Sequence, residues 1–232
     1  MGWLTLDTDN KPKKIFKRSK ADSNKLRQDI LDIAERKFKE IGYKKTTLQS
    51  IAKELNITDG AIHYHYKFKN MVLYDFFRKL YDLQFDYIEA NPPENYNKYL
   101  LYCIVYLKSF GDIMRTQRNW ELYFQDDQIN YWPEGRFLKM ERKYRFISED
   151  FHKNLTEEEI RTAAIMEIGT AKSLYDFFQR GELITGEKLC YDWVYAIGLF
   201  ARLDPLTIQI NMQRAYEYIK NHDMPSISLL ED

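Results

Sequence analysis

Residues 47–69, TLQSIAKELNITDGAIHYHYKFK, hold the densest set of chemically useful side chains in the chain. Hydroxyls, two amides, two imidazoles, two phenols and lysines fall in one stretch, interleaved with small residues. That mixture suits hydrogen bonding to base edges and charge pairing with phosphates, the chemistry of a protein that grips duplex DNA. Other chemistries find no footing. No Gly-rich phosphate loop and no nucleophile motif occurs. His63 and His65 belong to the stretch but cannot share a helical face, and His152 and His222 stand far apart, so no metal site is expected. Glu157-Glu158-Glu159 reads as the acidic opening of a helix and Asp126-Asp127 as a solvated turn. Neither enzyme activity nor a cofactor is predicted.

The elements that must hold these groups follow from apolar spacing. Leu48, Ile51, Ala52 and Leu55 fall at i, i+3, i+4 and i+7, one face of a short helix. Thr46 and Thr47 both precede it as N-cap candidates, and Thr46-x-x-Gln49 fits a capping box. Asn56 tolerates the left-handed conformation that ends a helix, and Thr58 can cap a second one with Ile57, Ala61 and Ile62 facing inward. Two such helices form a helix-turn-helix, whose second member enters a major groove.

Charge is segregated although the total is zero. Residues 1–73 carry sixteen Lys/Arg against nine Asp/Glu, and residues 74–232 carry nineteen against twenty-six. A basic lobe joined to an acidic one suits a molecule that meets phosphates at one end. Residues 1–22, with six lysines and arginines, read as a basic flexible arm, either a solvated tail or an arm that touches the DNA backbone or minor groove. Residues 23–73 are expected to form the DNA-binding domain and residues 74–232 a larger helical one. Cys103 and Cys190, the only cysteines, lack metal spacing and read as core thiols of a reducing cytosol. The N-terminus lacks an apolar signal core and no run approaches a membrane span, so a cytoplasmic location and no membrane partner are expected.

Gly and Pro are few, and long apolar-striped segments dominate, so an all-α fold is predicted. Helices are expected near 23–41, 70–89, 96–114, 120–124, 137–152, 156–180, 187–203 and 205–221, besides the two of the helix-turn-helix. Val194 to Ala201 contains no charge, and a helix apolar all round needs cover on every side. Either the last helix supplies it, or a second copy does. The favoured reading is a homodimer through this helix and the one at 156–180, with Ala164, Ile168, Ala171, Tyr175, Phe178, Trp193, Val194, Ile197 and Ala201 at the interface.

Residues 26–73 resemble the N-terminal domain of the TetR family of bacterial transcriptional regulators. The resemblance rests on Phe38 before Gly42-Tyr43, Thr46-Thr47, Ile51-Ala52, Ile57-Thr58-x-Gly60, His65-Tyr66 and Lys69, many fixed spacings over nearly fifty residues. It covers that segment only; the remainder matches in style, as a bundle of helices. The resemblance implies a homodimer that occupies a palindromic operator and leaves it when a small molecule enters the larger domain. It also implies roles. Thr47 matches a phosphate-contacting cap, and Gln49 a position that reaches a base edge. Thr58, Asp59, Gly60 and Ala61 open the recognition helix, where Asp59 can accept from cytosine and Ala61 can touch a thymine methyl. Tyr64 and His65 match backbone-contacting positions and Lys69 a phosphate-pairing lysine, with Lys45, His63 and Lys67 beside them. His63 stands where the family often has Tyr, and Phe68 and Asn70 replace the usual small cap and acidic residue.

For the pocket the candidates are Tyr102, Cys103, Tyr106, Phe110, Met114, Trp120, Tyr123, Phe124 and Trp132, an aromatic set on the central helices. They predict an apolar or aromatic effector. The function expected is a ligand-responsive repressor. The alternative is a DNA-anchored adaptor whose large domain binds protein and no small molecule.

Overall fold

The structure, a computed structural model, describes residues 20–123, 134–182 and 185–226. The described residues form helices without a strand: α1 (Lys20–Ile41), α2 (Leu48–Glu54), α3 (Asp59–His65), α4 (Lys69–Ala90), α5 (Lys98–Ile113), α6 (Gln117–Tyr123), α7 (Glu134–Asp150), α8 (Glu157–Gln179), α9 (Gly186–Phe200) and α10 (Pro205–Asn221). The arm expected over residues 1–22 lies outside the described residues up to residue 19, and α1 already includes 20–22.

Local chemistry fixes the ends. Gly42 follows α1 at φ 81, and Asn56 takes φ 51 after α2, the left-handed geometry expected of it. The cap of α2 is Thr47, not Thr46. Its hydroxyl accepts from the Ser50 N–H at 3.0 Å, and Ser50 Oγ accepts from the Thr47 N–H at 3.2 Å, so the capping box runs one residue later than the Thr46–Gln49 pair. Thr46 turns inward instead, fully buried, and its hydroxyl donates to the Gly42 carbonyl. Thr58 caps α3, a Thr156–Glu159 capping box opens α8, and Asp204 with Pro205 opens α10.

Two cores result. The first gathers Leu26, Ile30, Ala34 and Phe38 of α1, Leu48 and Ile51 of α2, Ile62 of α3, and Val72, Leu73 and Phe76 of α4. The second surrounds α5, which packs against α4, α7, α9 and α10. Gly198 of α9 allows close approach to α10. A Cβ there would stand 2.6 Å from Ile208 Cγ1 and 2.7 Å from the Tyr99 hydroxyl, which itself donates to the Val194 carbonyl. Gly198→Ala is therefore expected to destabilise by about 1–3 kcal/mol despite the better helix propensity of Ala. Urea midpoints check this, and a raised midpoint would show that α9 and α10 sit farther apart. No helix among the described residues is long and apolar enough to cross a membrane.

Candidate nucleic-acid interface and internal cavity

The helix-turn-helix presents one polar face. Lys45, Thr47 and Gln49 at the start of α2, and Thr58, Asp59, Gly60, His63, Tyr64 and Lys67 on and after α3, are all exposed. Ala61, His65 and Lys69 are half-buried. Tyr64 is 83% exposed, with its ring edge-on to that of His65. Lys44 and Phe68 are also exposed beside this face. The run Tyr43-Lys44-Lys45 was the signal for Lys44. Lys69 donates to the Tyr43 carbonyl at 2.7 Å and stands 4.0 Å from the Tyr43 ring centre, bracing the start of α4 against the α1–α2 turn.

Behind that face lies a clamp that local patterns do not reveal. Asp75 of α4 is 3% exposed. It accepts from Arg27 Nε of α1 at 2.7 Å and from the Tyr66 hydroxyl at 2.8 Å, with Arg78 at 3.7 Å. The Arg27 guanidinium also lies over the Tyr66 ring. Burial, then the Asp75 charge, holds the Tyr66 hydroxyl above the ordinary tyrosine range, so it remains a donor. Since Tyr66 caps the C-terminus of α3, the clamp fastens the recognition helix to α1 and α4.

The opposite side of α4 lines a cavity of about 340 Å³. Tyr74, Phe77, Arg78, Tyr81, Asp82 and Phe85 supply this wall, α5 adds Tyr102 and Tyr106, and Tyr123 and Trp193 contribute from α6 and α9. Lys139, Met140, Arg142, Lys143 and Phe146 of α7 with Glu167 of α8 complete it. Tyr106 stacks on Trp193 at 5.3 Å between ring centres and on Tyr102 at 5.9 Å. Of the nine residues proposed from sequence, Tyr102, Tyr106 and Tyr123 line it. Cys103 is fully buried elsewhere in the core, Phe110 packs behind Trp193, Trp120 meets Phe178, and Met114 lies against Gly186. Phe124 and Trp132 lie outside the described residues.

The charged members were missed. Lys143 donates to both Glu167 oxygens at 2.6 and 2.5 Å, and each side chain is 2% exposed. Its ammonium also lies 5.1 Å from the Tyr106 ring centre and 5.0 Å from that of Tyr144. Glu167 was detectable as a lone acid in the apolar stretch Ala163–Ile168; Lys143, in the charged run Glu141-Arg142-Lys143, was not. Burial pushes the Tyr102 hydroxyl up to about 12, so it too stays protonated at neutral pH. Among the described residues, no three His, Cys, Asp or Glu side chains group closely enough to hold a metal ion.

The residues assigned to a dimer interface sit mostly inside the chain. Ala164, Tyr175, Trp193, Val194, Ile197 and Ala201 are buried, because α5, α8 and α10 of the same chain surround α9. Ile168, Ala171 and Phe178 are half-buried. The apolar side chains that face outward on α8 and α9 are Ile165, Met166, Phe177 and Leu199.

Residues 30–73 match the family model described as bacterial regulatory proteins, tetR family. Over 58 residues the chain is 40% identical to the "Probable acrEF/envCD operon repressor" of Escherichia coli (strain K12), a match spanning 25% of this chain and 26% of that protein. The chain thus spans about a quarter of the length of that relative. Over 130 residues it is 27% identical to the biofilm operon icaADBC HTH-type negative transcriptional regulator IcaR of Staphylococcus epidermidis, covering 56% of this chain and 67% of that one. The crystal structure of a TetR-family transcriptional regulator from Pectobacterium atrosepticum is similar at a TM-score of 0.50 and 17% identity, over 78% of this chain and 95% of that one. That likeness concerns the fold: an N-terminal helix-turn-helix domain with a larger helical body behind it. Residues 30–73 thus carry the N-terminal domain of the tetR family of bacterial regulatory proteins.

Proposed function

We propose that the protein is a cytoplasmic transcriptional repressor that binds a palindromic operator as a homodimer and leaves it when a small apolar or aromatic molecule fills the cavity. One observation carries the reading. The single helix α4 sends Val72, Leu73, Asp75 and Phe76 into the core of the helix-turn-helix, and Tyr74, Arg78, Tyr81 and Phe85 into the cavity wall. A body in the cavity that shifts α4 must therefore move α3. Two recognition helices reach successive major grooves only at a spacing of roughly 34–36 Å, so a ligand favouring another spacing weakens DNA binding by its differential affinity for the two states. On this reading residues 23–73 act as the DNA-binding unit and residues 74–232 as the effector and dimer body. The outward side chains Ile165, Met166, Phe177 and Leu199 offer the apolar face a second copy needs. The adaptor alternative lacks such support, since a concave, largely aromatic cavity serves a small molecule better than a protein surface.

The test is titration of a labelled duplex from the protein's own upstream region, read by fluorescence anisotropy. Binding is expected to prefer that duplex over scrambled sequence and to weaken steeply with salt. Tyr64→Ala should cut affinity for both duplexes, and sedimentation should show two subunits per operator. Equal binding to both duplexes, or a monomer on the operator, would overturn the reading.

A further inference from the structure

Resting on the reading of the cavity as an effector site, we propose that the effector is an amphipathic anion: a flat apolar body that carries a carboxylate or comparable acidic group. Three observations converge on it. First, the wall holds four cations, Arg78, Lys139, Arg142 and Lys143, against two anions, Asp82 and Glu167. Lys143 and Glu167 neutralise each other on the buried floor. Arg78 is shared with Asp75 outside the wall, and the exposed side chains Lys139 and Arg142 still outnumber Asp82 at the mouth. A cleft lined by one sign of charge with apolar walls concentrates ions of the other sign, and guanidinium groups pair with carboxylates through two parallel hydrogen bonds.

Second, Trp193 is 8% exposed and lines the cavity, yet its indole N–H has no acceptor among the described residues. A buried donor without an acceptor favours a ligand that supplies one. A carboxylate does so; an ammonium brings only donors. An ammonium would also have to take Glu167 from Lys143, which stands within hydrogen-bonding distance of both carboxylate oxygens. Third, the apolar lining is largely aromatic: Tyr106 stacks on Trp193, Tyr81 stands edge-on to Tyr106 and Phe85 edge-on to Tyr102, ring faces and edges that suit a flat aromatic body. A volume of about 340 Å³ lies at the lower end of the roughly 300–1,000 Å³ typical of ligand sites, which suits one or two rings.

Calorimetric titration of the full-length protein with naphthoate, naphthamide and naphthylmethylammonium at neutral pH separates the possibilities, since the three share a ring system and differ in charge. Naphthoate is expected to bind at least about tenfold tighter than naphthamide, a gap that narrows as salt screens the exposed mouth. The double variant Lys139→Gln, Arg142→Gln should bring naphthoate down to the affinity of naphthamide and leave naphthamide unchanged. Naphthamide or naphthylmethylammonium binding as tightly as naphthoate overturns the anion assignment and leaves a small-molecule site standing. Silence from all three, in a cavity sized for them, overturns the assignment and the effector reading together.

Discussion

Lys143→Met is expected to cost about 3–5 kcal/mol of stability, the cost of leaving a buried carboxylate without its counter-ion. Glu167 lies 2% exposed, and the Lys143 ammonium donates to both of its oxygens. Without the ammonium, the carboxylate must take up a proton or admit water. The physics of buried pairs gives a sharper expectation for the double variant. Lys143→Met with Glu167→Leu removes both charges and keeps similar volume, so it should recover most of the lost stability and can exceed the parent. Urea denaturation followed by circular dichroism measures both. A cost below about 1 kcal/mol for the single variant would mean that water already reaches the pair and that the floor of the cavity is wet.

Much of the DNA-binding half can be read from residues close in sequence, because its geometry is local. Thr58, Asn56 and Gly42 fix caps and turns within four positions, and apolar spacing fixes which faces turn inward. Even the one-residue shift of the α2 capping box is a local ambiguity: two threonines stand side by side, with Gln49 and Ser50 both suited to reciprocate. What escapes is whatever joins distant residues. Arg27 and Asp75 are 48 positions apart, and Lys143 and Glu167 are 24 apart, with no periodicity linking them. The uncharged run in α9 shows the same limit. Its composition says that it must be covered, but only tertiary packing decides that α5, α8 and α10 do the covering. Trp193 consequently turns toward the cavity, while the outward side chains of α8 and α9 are Ile165, Met166, Phe177 and Leu199. Cys103, Phe110 and Trp120 were plausible walls by type and proved to be packing, because a cavity is defined by the space left over among helices.

Asp75→Ala is expected to uncouple the cavity from the DNA face as well as weaken the fold. The substitution strands the buried Tyr66 hydroxyl, whereas Arg27, with 44% of its side chain exposed, can turn to water. The stability loss should therefore be about 2–3 kcal/mol, below that of a fully enclosed pair. Tyr66→Phe removes one hydrogen bond and keeps Arg27 on Asp75, so about 1 kcal/mol is expected. The functional consequence follows from linkage. If α4 transmits a cavity event to α3 through the Tyr66–Asp75–Arg27 clamp, the coupling free energy between effector and operator must shrink when the clamp is cut, and it must shrink equally from both sides. Effector affinity of the free protein should not fall, because Asp75 lies outside the cavity wall and its loss only releases Arg78, a cavity cation, from an ion pair. Operator affinity should fall, and the effector should no longer change it. Measuring effector affinity with and without saturating operator, for the parent and for Asp75→Ala, closes the thermodynamic cycle. A variant that folds and keeps the parent's full coupling would remove the clamp from the path and leave α3 responding to α4 through apolar packing alone.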